Sequence, residues 1–243
     1  MVLNALRLDL SVIDPRNWPP AWGTSIASSA VVRVYLCPST PPTPIDYGPY
    51  FVSLRLPNRG PFVIGGTDYS AVRGYTNNFR NACATASPIP GDDTGAMGMR
   101  GTMTNGKMLN KITMVGITDG TSNTMLFAES AGRHQLYAGR TAISPNTPGT
   151  AGWALNAAYF DYNTAIRIRG YSADGLNPNG GCCVMNCSNG GGASQYQIYS
   201  FHSGGAYVLR ADGTVNFLNQ NVAPGVVAAL VSRAGGEVFQ NPD

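Results

Sequence analysis

The sequence predicts an α+β, β-rich fold, with an antiparallel sheet, long loops and a short C-terminal helix. Three observations predict it. Glycine and proline number 30 and 17 among 243 residues, which favours turns and short strands over long helices. A hairpin signal lies near the C-terminus, where residues 206–210 and 215–218 flank Asp212-Gly213. Beyond it, residues 224–233 read as a short helix, with Pro224 at its start and Gly235-Gly236 as its stop.

Each element follows from local pattern. Leu6-Arg7-Leu8-Asp9-Leu10 alternates apolar and polar like a strand. A domain seldom begins inside a strand, so more chain is expected before Met1. Residues 31–37 form the next strand candidate, stopped by Pro38. Residues 45–110 read as short strands on long loops, and 86–106, punctuated by Pro88, Pro90 and Gly91, as an extended surface loop. Thr118 to Asn123 is turn chemistry, followed by a buried strand over 124–129. Residues 170–195 form a second loop, holding a cysteine cluster. A two-residue type I′ turn at Asp212-Gly213 would set Arg210 opposite Val215 and Val208 opposite Phe217, with Val208, Val215 and Phe217 on one core-facing side. No internal repeat or low-complexity tract appears, and residues 1–243 are read as a single domain.

Composition narrows the function. A hydrophobic share of 43% excludes general disorder. Charged residues make up 12%, against the ~25% of ordinary soluble domains. Such low-charge, turn-rich surfaces are common in exported and assembling proteins. The formal net charge is +3, and its arginines (Arg7, Arg33, Arg73, Arg100, Arg140, Arg169) are scattered, which argues against nucleic acid as a partner. Apolar windows stay well short of the ~18 residues a spanning helix needs, and no signal-peptide pattern is visible.

The five cysteines are Cys37, Cys83, Cys182, Cys183 and Cys187. An odd count leaves a lost partner, a free thiol or an intermolecular bond open. The cluster Cys182-Cys183-x3-Cys187 lacks zinc-knuckle spacing and has no histidine nearby, so structural disulfides lead over zinc and free thiols. The candidate pairings are Cys183 with Cys187, and Cys37 or Cys83 with Cys182. Disulfides would imply an oxidising compartment.

Three segments together carry a resemblance. They are Ile117 to Glu129, containing Asp119-Gly120-Thr121-Ser122-Asn123; Asn186-Cys187-Ser188-Asn189; and Ile198 to Gly213, in which nine residues separate His202 from Asp212-Gly213. The pattern resembles the H-x9-DG signature of the prepilin-like proteins of planctomycete bacteria. Tyr35-Leu36-Cys37-Pro38-Ser39 and Arg233-Ala234-Gly235-Gly236-Glu237 match further landmarks of that family, and Trp153 stands where it often has tryptophan. The resemblance implies a pilin-like globular head. It further implies an N-terminal leader and apolar helix, absent from the sequence given, through which alone the protein would meet a membrane. A family cysteine after that helix is also missing, which would orphan Cys37.

Enzyme templates fit poorly. In a hairpin rising at about 3.3 Å per residue, His202 and Asp212 would stand about 25 Å apart, too far for a base and its carboxylate. His202 is read as fixing the start of its strand through a backbone carbonyl or a neighbouring loop, and His134 as a loop residue. No G-x-S-x-G elbow, Walker loop or H-E-x-x-H is present. Calcium is a possible ligand, with Asp119, Asn123 and Asp212 as candidates beside Asp92-Asp93, but Asp119 is read first as bonding backbone N–H groups in a turn or cap. The twelve tyrosines are read as core residues with satisfied hydroxyls. The expected function is a non-catalytic cell-envelope subunit of a filament or secretion/uptake apparatus, exported, with copies of itself or related subunits as partners. A soluble extracellular binding or lattice-forming module is the alternative.

Overall fold

The computed structural model describes residues 6–11, 14–42, 45–85, 94–98, 103–104, 107–108, 112–143, 156–161, 163–190 and 197–237. Asp92-Asp93, Lys111, Trp153 and most of 86–106 lie outside these. The fold is α+β, as the composition and pattern predict. In chain order its elements are α1 (Gly48–Ser53), β1 (Tyr69–Tyr75), α2 (Asn77–Cys83), β2 (Met103–Thr104), β3 (Lys107–Met108), β4 (Met125–Glu129), β5 (Tyr137–Ala138), β6 (Thr141–Ala142), β7 (Ile166–Ile168), β8 (Gly205–Arg210), β9 (Val215–Asn219) and α3 (Pro224–Val231).

Five strands form one mixed sheet in the order β7-β1-β4-β8-β9; β2-β3 and β5-β6 are separate two-stranded pairs. The β1–β4, β4–β8 and β8–β9 pairings are antiparallel, whereas β7 joins β1 in parallel. β4 therefore sits at the centre, as its apolar run Met125-Leu126-Phe127-Ala128 requires. Val72, Met125, Ala128, Ile166, Ile168, Ala206, Val208 and Leu218 from the sheet pack with Val227, Ala228 and Val231 of α3 and with Phe79 of α2. Thr76 starts α2 by accepting a hydrogen bond from the Phe79 amide at 3.3 Å. Pro224 starts α3 as expected, but the helix ends at Val231, two residues before the predicted limit.

A second apolar cluster joins Trp22, Ile45, Tyr47, Phe62, Ile64, Ala157 and Ala158. The Trp22 indole N–H donates to the Gly60 carbonyl at 2.9 Å, so its polar edge is satisfied inside this aromatic group. The layer is tied to the entry of β1 by backbone bonds from Gly65 to Ser28, from Thr67 to Ala157 and from Asp68 to Tyr35.

Four expectations need correction. Residues 31–37 do not form a strand: Arg33–Tyr35 is a 3-10 turn, closed by Tyr35 N–H to Val32 and Leu36 N–H to Arg33 carbonyls. Among the described residues no strand pairs with this β-branched stretch, and local turns satisfy its backbone. Leu6–Leu10 is likewise a turn, pinned by the Asn17 side chain, which accepts from Arg7 N at 2.9 Å and donates to Arg7 O at 3.0 Å. Within 86–106, Thr94 and Ala96 are buried, because Gly95 bonds Arg73 and Thr94 accepts from Arg233.

The fourth concerns the hairpin register. The loop is Ala211-Asp212-Gly213, closed by Arg210 N–H to Thr214 O at 2.9 Å and Gly213 N–H to Arg210 O at 3.0 Å. Only Gly213 takes a positive φ, at 88°, and the Asp212 carboxylate accepts from the Thr214 amide at 2.9 Å. Three loop residues instead of two set Leu209 opposite Val215 and Tyr207 opposite Phe217. One residue of slip moves a strand's side chains to the other face. Val208 and Leu218 therefore enter the core, while Val215 and Phe217 lie 62% and 45% exposed.

Candidate functional site

Three signature segments meet at the start of β8. The Tyr35–Ser39 stretch arrives as a loop, held by the Cys37 amide donating to Asp68 Oδ2 at 2.8 Å. Asp68 is itself buried, and its Oδ1 accepts from the Gly132 amide at 3.0 Å. Glu129 closes β4 and is fully buried; its Oε2 accepts from the Tyr207 amide at 2.6 Å, and its backbone carbonyl from Tyr199 at 3.0 Å. His202 stands in the turn before β8. Its amide donates to Ser200 Oγ at 2.9 Å, and the Arg140 guanidinium clamps the Ser200 and His202 carbonyls.

The side chains converge on one point. His202 Nε2 lies 3.4 Å from Cys37 Sγ and 3.2 Å from Glu129 Oε1. Among the described residues these three form the one group of His, Cys or carboxylate side chains with metal-ligand spacing, their donor atoms all within 4.8 Å of one another. His202 Nδ1 faces Ser39 Oγ at 3.4 Å, and the ring edge meets Tyr207 with centroids 5.3 Å apart. Glu129 Oε1 is buried and, although near His202, lacks the alignment of a hydrogen bond. Burial pushes the Cys37 thiol above its ordinary value, with Glu129 and Asp68 adding to the shift. Burial likewise pushes the nearby Tyr69 phenol up to about 12, reinforced by Cys37, Glu129 and Asp68.

This arrangement is a poor nucleophile relay. A base that activates a thiol receives it on one ring nitrogen and is oriented through the other. Here the thiol and the carboxylate address the same nitrogen.

The remaining candidates fall elsewhere. His202 and Asp212 lie beyond opposite ends of β8, so they form no dyad. The His202 ring instead faces the neighbouring 35–39 loop, at Cys37 and Ser39. Asp119 bonds backbone N–H groups, but those of a distant segment: its carboxylate accepts from Gly235 at 2.6 Å and Gly236 at 2.9 Å. Gly120 takes a φ of 97° to open the 3-10 turn Thr121–Asn123, and Asn123 Nδ2 donates to the Asp119 carbonyl at 3.0 Å. That turn supports the hairpin tip, since the Asp212 amide donates to Thr121 O and the Arg210 guanidinium to Ser122 O. The calcium candidates Asp119 and Asp212 thus have carboxylates turned to backbone donors.

Cys83 bonds Cys182, and Cys183 bonds Cys187, leaving Cys37 as the free cysteine among the described residues. Tyr47, Tyr159 and Tyr199 donate their hydroxyls to Asp161, to the Ala27 carbonyl and to the Gly139 carbonyl. His134 lies in the turn after β4, where burial lowers its pKa. Sequence reasoning missed Asp68, while Ser39 and Asn189 were marked only as members of the family segments 35–39 and 186–189, with no role assigned. Asn189 Nδ2 reaches the Ala131, Gly132 and Gln135 carbonyls while its Oδ1 accepts from Tyr137, so one amide holds the whole turn after β4.

Fold and site together define an α+β domain whose signature residues knit loops onto a central sheet. The chain belongs to the family described as a protein of unknown function (DUF1559), which matches residues 2–225. No curated protein and no solved structure matches it.

Proposed function

We propose that this chain is a non-catalytic assembly protein of the cell envelope, a pilin- or pseudopilin-like head of the planctomycete H-x9-DG kind, acting in a filament or a secretion/uptake apparatus beside copies of itself or related subunits. The observation that carries the reading is the outer face of the β8–β9 hairpin. Tyr207, Val215 and Phe217 are exposed there, on a sheet whose last strand, β9, has no charged residue and no proline along Val215–Asn219. Monomers normally blunt such an edge with charge, proline or a bulge. An edge left open beside apolar side chains favours docking to another chain.

The signature residues add support, because Asp119 and Glu129 are engaged with backbone amides of other segments and Asp212 with the Thr214 amide of its own turn. Two disulfides fit an oxidising compartment and hence export.

The test is immunogold electron microscopy of native envelopes and of sheared surface material, with an antibody to this chain. Label along ordered filaments, lost in a Phe217→Lys strain, is the expected result. Evenly dispersed label on single copies, unchanged by that substitution, overturns the reading in favour of a soluble binding module.

A further inference from the structure

We propose that Cys37, Glu129 and His202 bind a single borderline transition-metal ion, Zn²⁺ by preference, which staples the 35–39 loop and the start of β8 to the central strand. The donor set is one thiolate, one imidazole and one carboxylate. Zinc accepts all three types, at about 2.3 Å to sulfur, 2.0–2.1 Å to nitrogen and 2.0–2.2 Å to oxygen. Tetrahedral angles at those lengths put neighbouring donors about 3.3–3.6 Å apart. Of the two spacings at His202 Nε2, 3.4 Å to Cys37 Sγ lies within that range and 3.2 Å to Glu129 Oε1 falls about 0.1 Å short of it.

A second observation is independent of the cluster's composition. Glu129 is fully buried, and its two oxygens differ: Oε2 holds the Tyr207 amide, whereas Oε1 points to the cluster with no hydrogen-bond partner. A buried acceptor left unmet is destabilising, the more so when it is charged. A cation between Oε1, Nε2 and Sγ removes that cost.

The outer contacts are also those of a metal site. Ligating histidines commonly hold their second nitrogen with a polar partner, which orients the first. Ser39 Oγ stands 3.4 Å from His202 Nδ1, and Asp68 fixes the backbone of Cys37. The convergence of thiol and carboxylate on one nitrogen, wrong for a nucleophile relay, is what a shared ion requires. Calcium and magnesium are excluded at this point, since they take oxygen donors and avoid thiolate. The His202 side chain is 28% exposed while that of Glu129 is fully buried, so the ion enters, and a fourth ligand approaches, from the histidine side. On binding, the Cys37 thiol loses its proton to solvent and becomes the thiolate ligand.

The test uses the whole chain with both disulfides intact, stripped with a chelator and titrated with Co²⁺ and Zn²⁺. One equivalent of Co²⁺ should raise a thiolate-to-cobalt charge-transfer band, and Zn²⁺ should bleach it. Zn²⁺ should also protect the Cys37 thiol from alkylation. Cys37→Ser should abolish the band; His202→Gln and Glu129→Gln should weaken Zn²⁺ binding at least about tenfold, and Ser39→Ala about tenfold. Absence of the band from the unaltered chain at one equivalent overturns the proposal without reference to any variant's folding. So does a band that persists in Cys37→Ser.

Discussion

Asp161 illustrates how one buried carboxyl ties stability to pH. It accepts the Tyr47 hydroxyl at 2.9 Å and the Asn163 amide at 2.8 Å. Burial raises its pKa above the ordinary carboxylate value; those hydrogen bonds and the Arg133 charge pull it partly back. The folded protein therefore holds this proton more tightly than the unfolded chain. Its stabilising contribution is full below the ordinary carboxylate pKa and is lost as pH rises through the raised value. Asp161→Asn can still accept from Asn163 and can donate to Tyr47, without the charge. Urea unfolding should show the variant matching the parent in acid and gaining on it toward neutral pH. A constant difference at every pH sinks the assignment. At this scale the sequence marked His202, Glu129 and the landmark around Cys37, but not that the Cys37 thiol stands beside the other two. The 31–37 stretch reads as a strand, and a strand would carry Cys37 along a sheet instead of into a turn. Arg133 gave no sequence signal, yet it is fully buried, donating to the Thr164 carbonyl at 3.0 Å and Ser70 Oγ at 2.6 Å. Its role depends on two carbonyl and hydroxyl positions that only the folded chain brings together.

The elements were most legible where punctuation and periodicity agreed. Pro224 and the apolar run behind it placed α3, and turn residues followed by 124–129 placed β4. The hairpin shows the limit of such reading. Asp-Gly serves a two-residue turn and a three-residue loop equally well, because each needs positive φ at the glycine. Register decides which side chains enter the core, and it can be tested by substitution. Leu218 lies on the core face with Val208 and Ala206, while Phe217 lies outside. Leu218→Ala should cost about 2–5 kcal/mol in urea unfolding, the range for a buried leucine. Phe217→Ala should stay within about 1 kcal/mol, as expected for an exposed site. The two-residue turn reverses that order, so a larger loss at Phe217 would refute the register described.

At the scale of the whole molecule, distant segments are cross-tied in pairs. The 117–123 turn holds the C-terminal stretch through Asp119 to Gly235 and Gly236, and the 35–39 loop reaches His202. These contacts join residues more than one hundred positions apart, whose spacing along the chain carries no record of the pairing. The disulfides do the same covalently, and unequally. Cys83–Cys182 bridges the end of α2 to the 170–190 loop with a separation of 99 residues, whereas Cys183–Cys187 spans 4. Closing a loop restricts the unfolded chain by an amount that grows with the logarithm of its length. On that basis the long bridge contributes about 4.7 kcal/mol and the short one about 2 kcal/mol at 25 °C. Paired serine substitutions, measured by urea unfolding under non-reducing conditions, should preserve this order, with Cys83→Ser/Cys182→Ser losing more than Cys183→Ser/Cys187→Ser. The long bridge also fastens the cysteine loop beside Asn186, whose side chain accepts from the Ser200 amide at 2.8 Å, two residues before His202. Loss of Cys83–Cys182 should therefore loosen the turn that carries His202. Hydrogen exchange at the amides of 198–204 should accelerate in that variant while the β1–β4 ladder stays protected. Equal acceleration in both would mean that the bridge stabilises only through the unfolded chain and does not hold this turn in place.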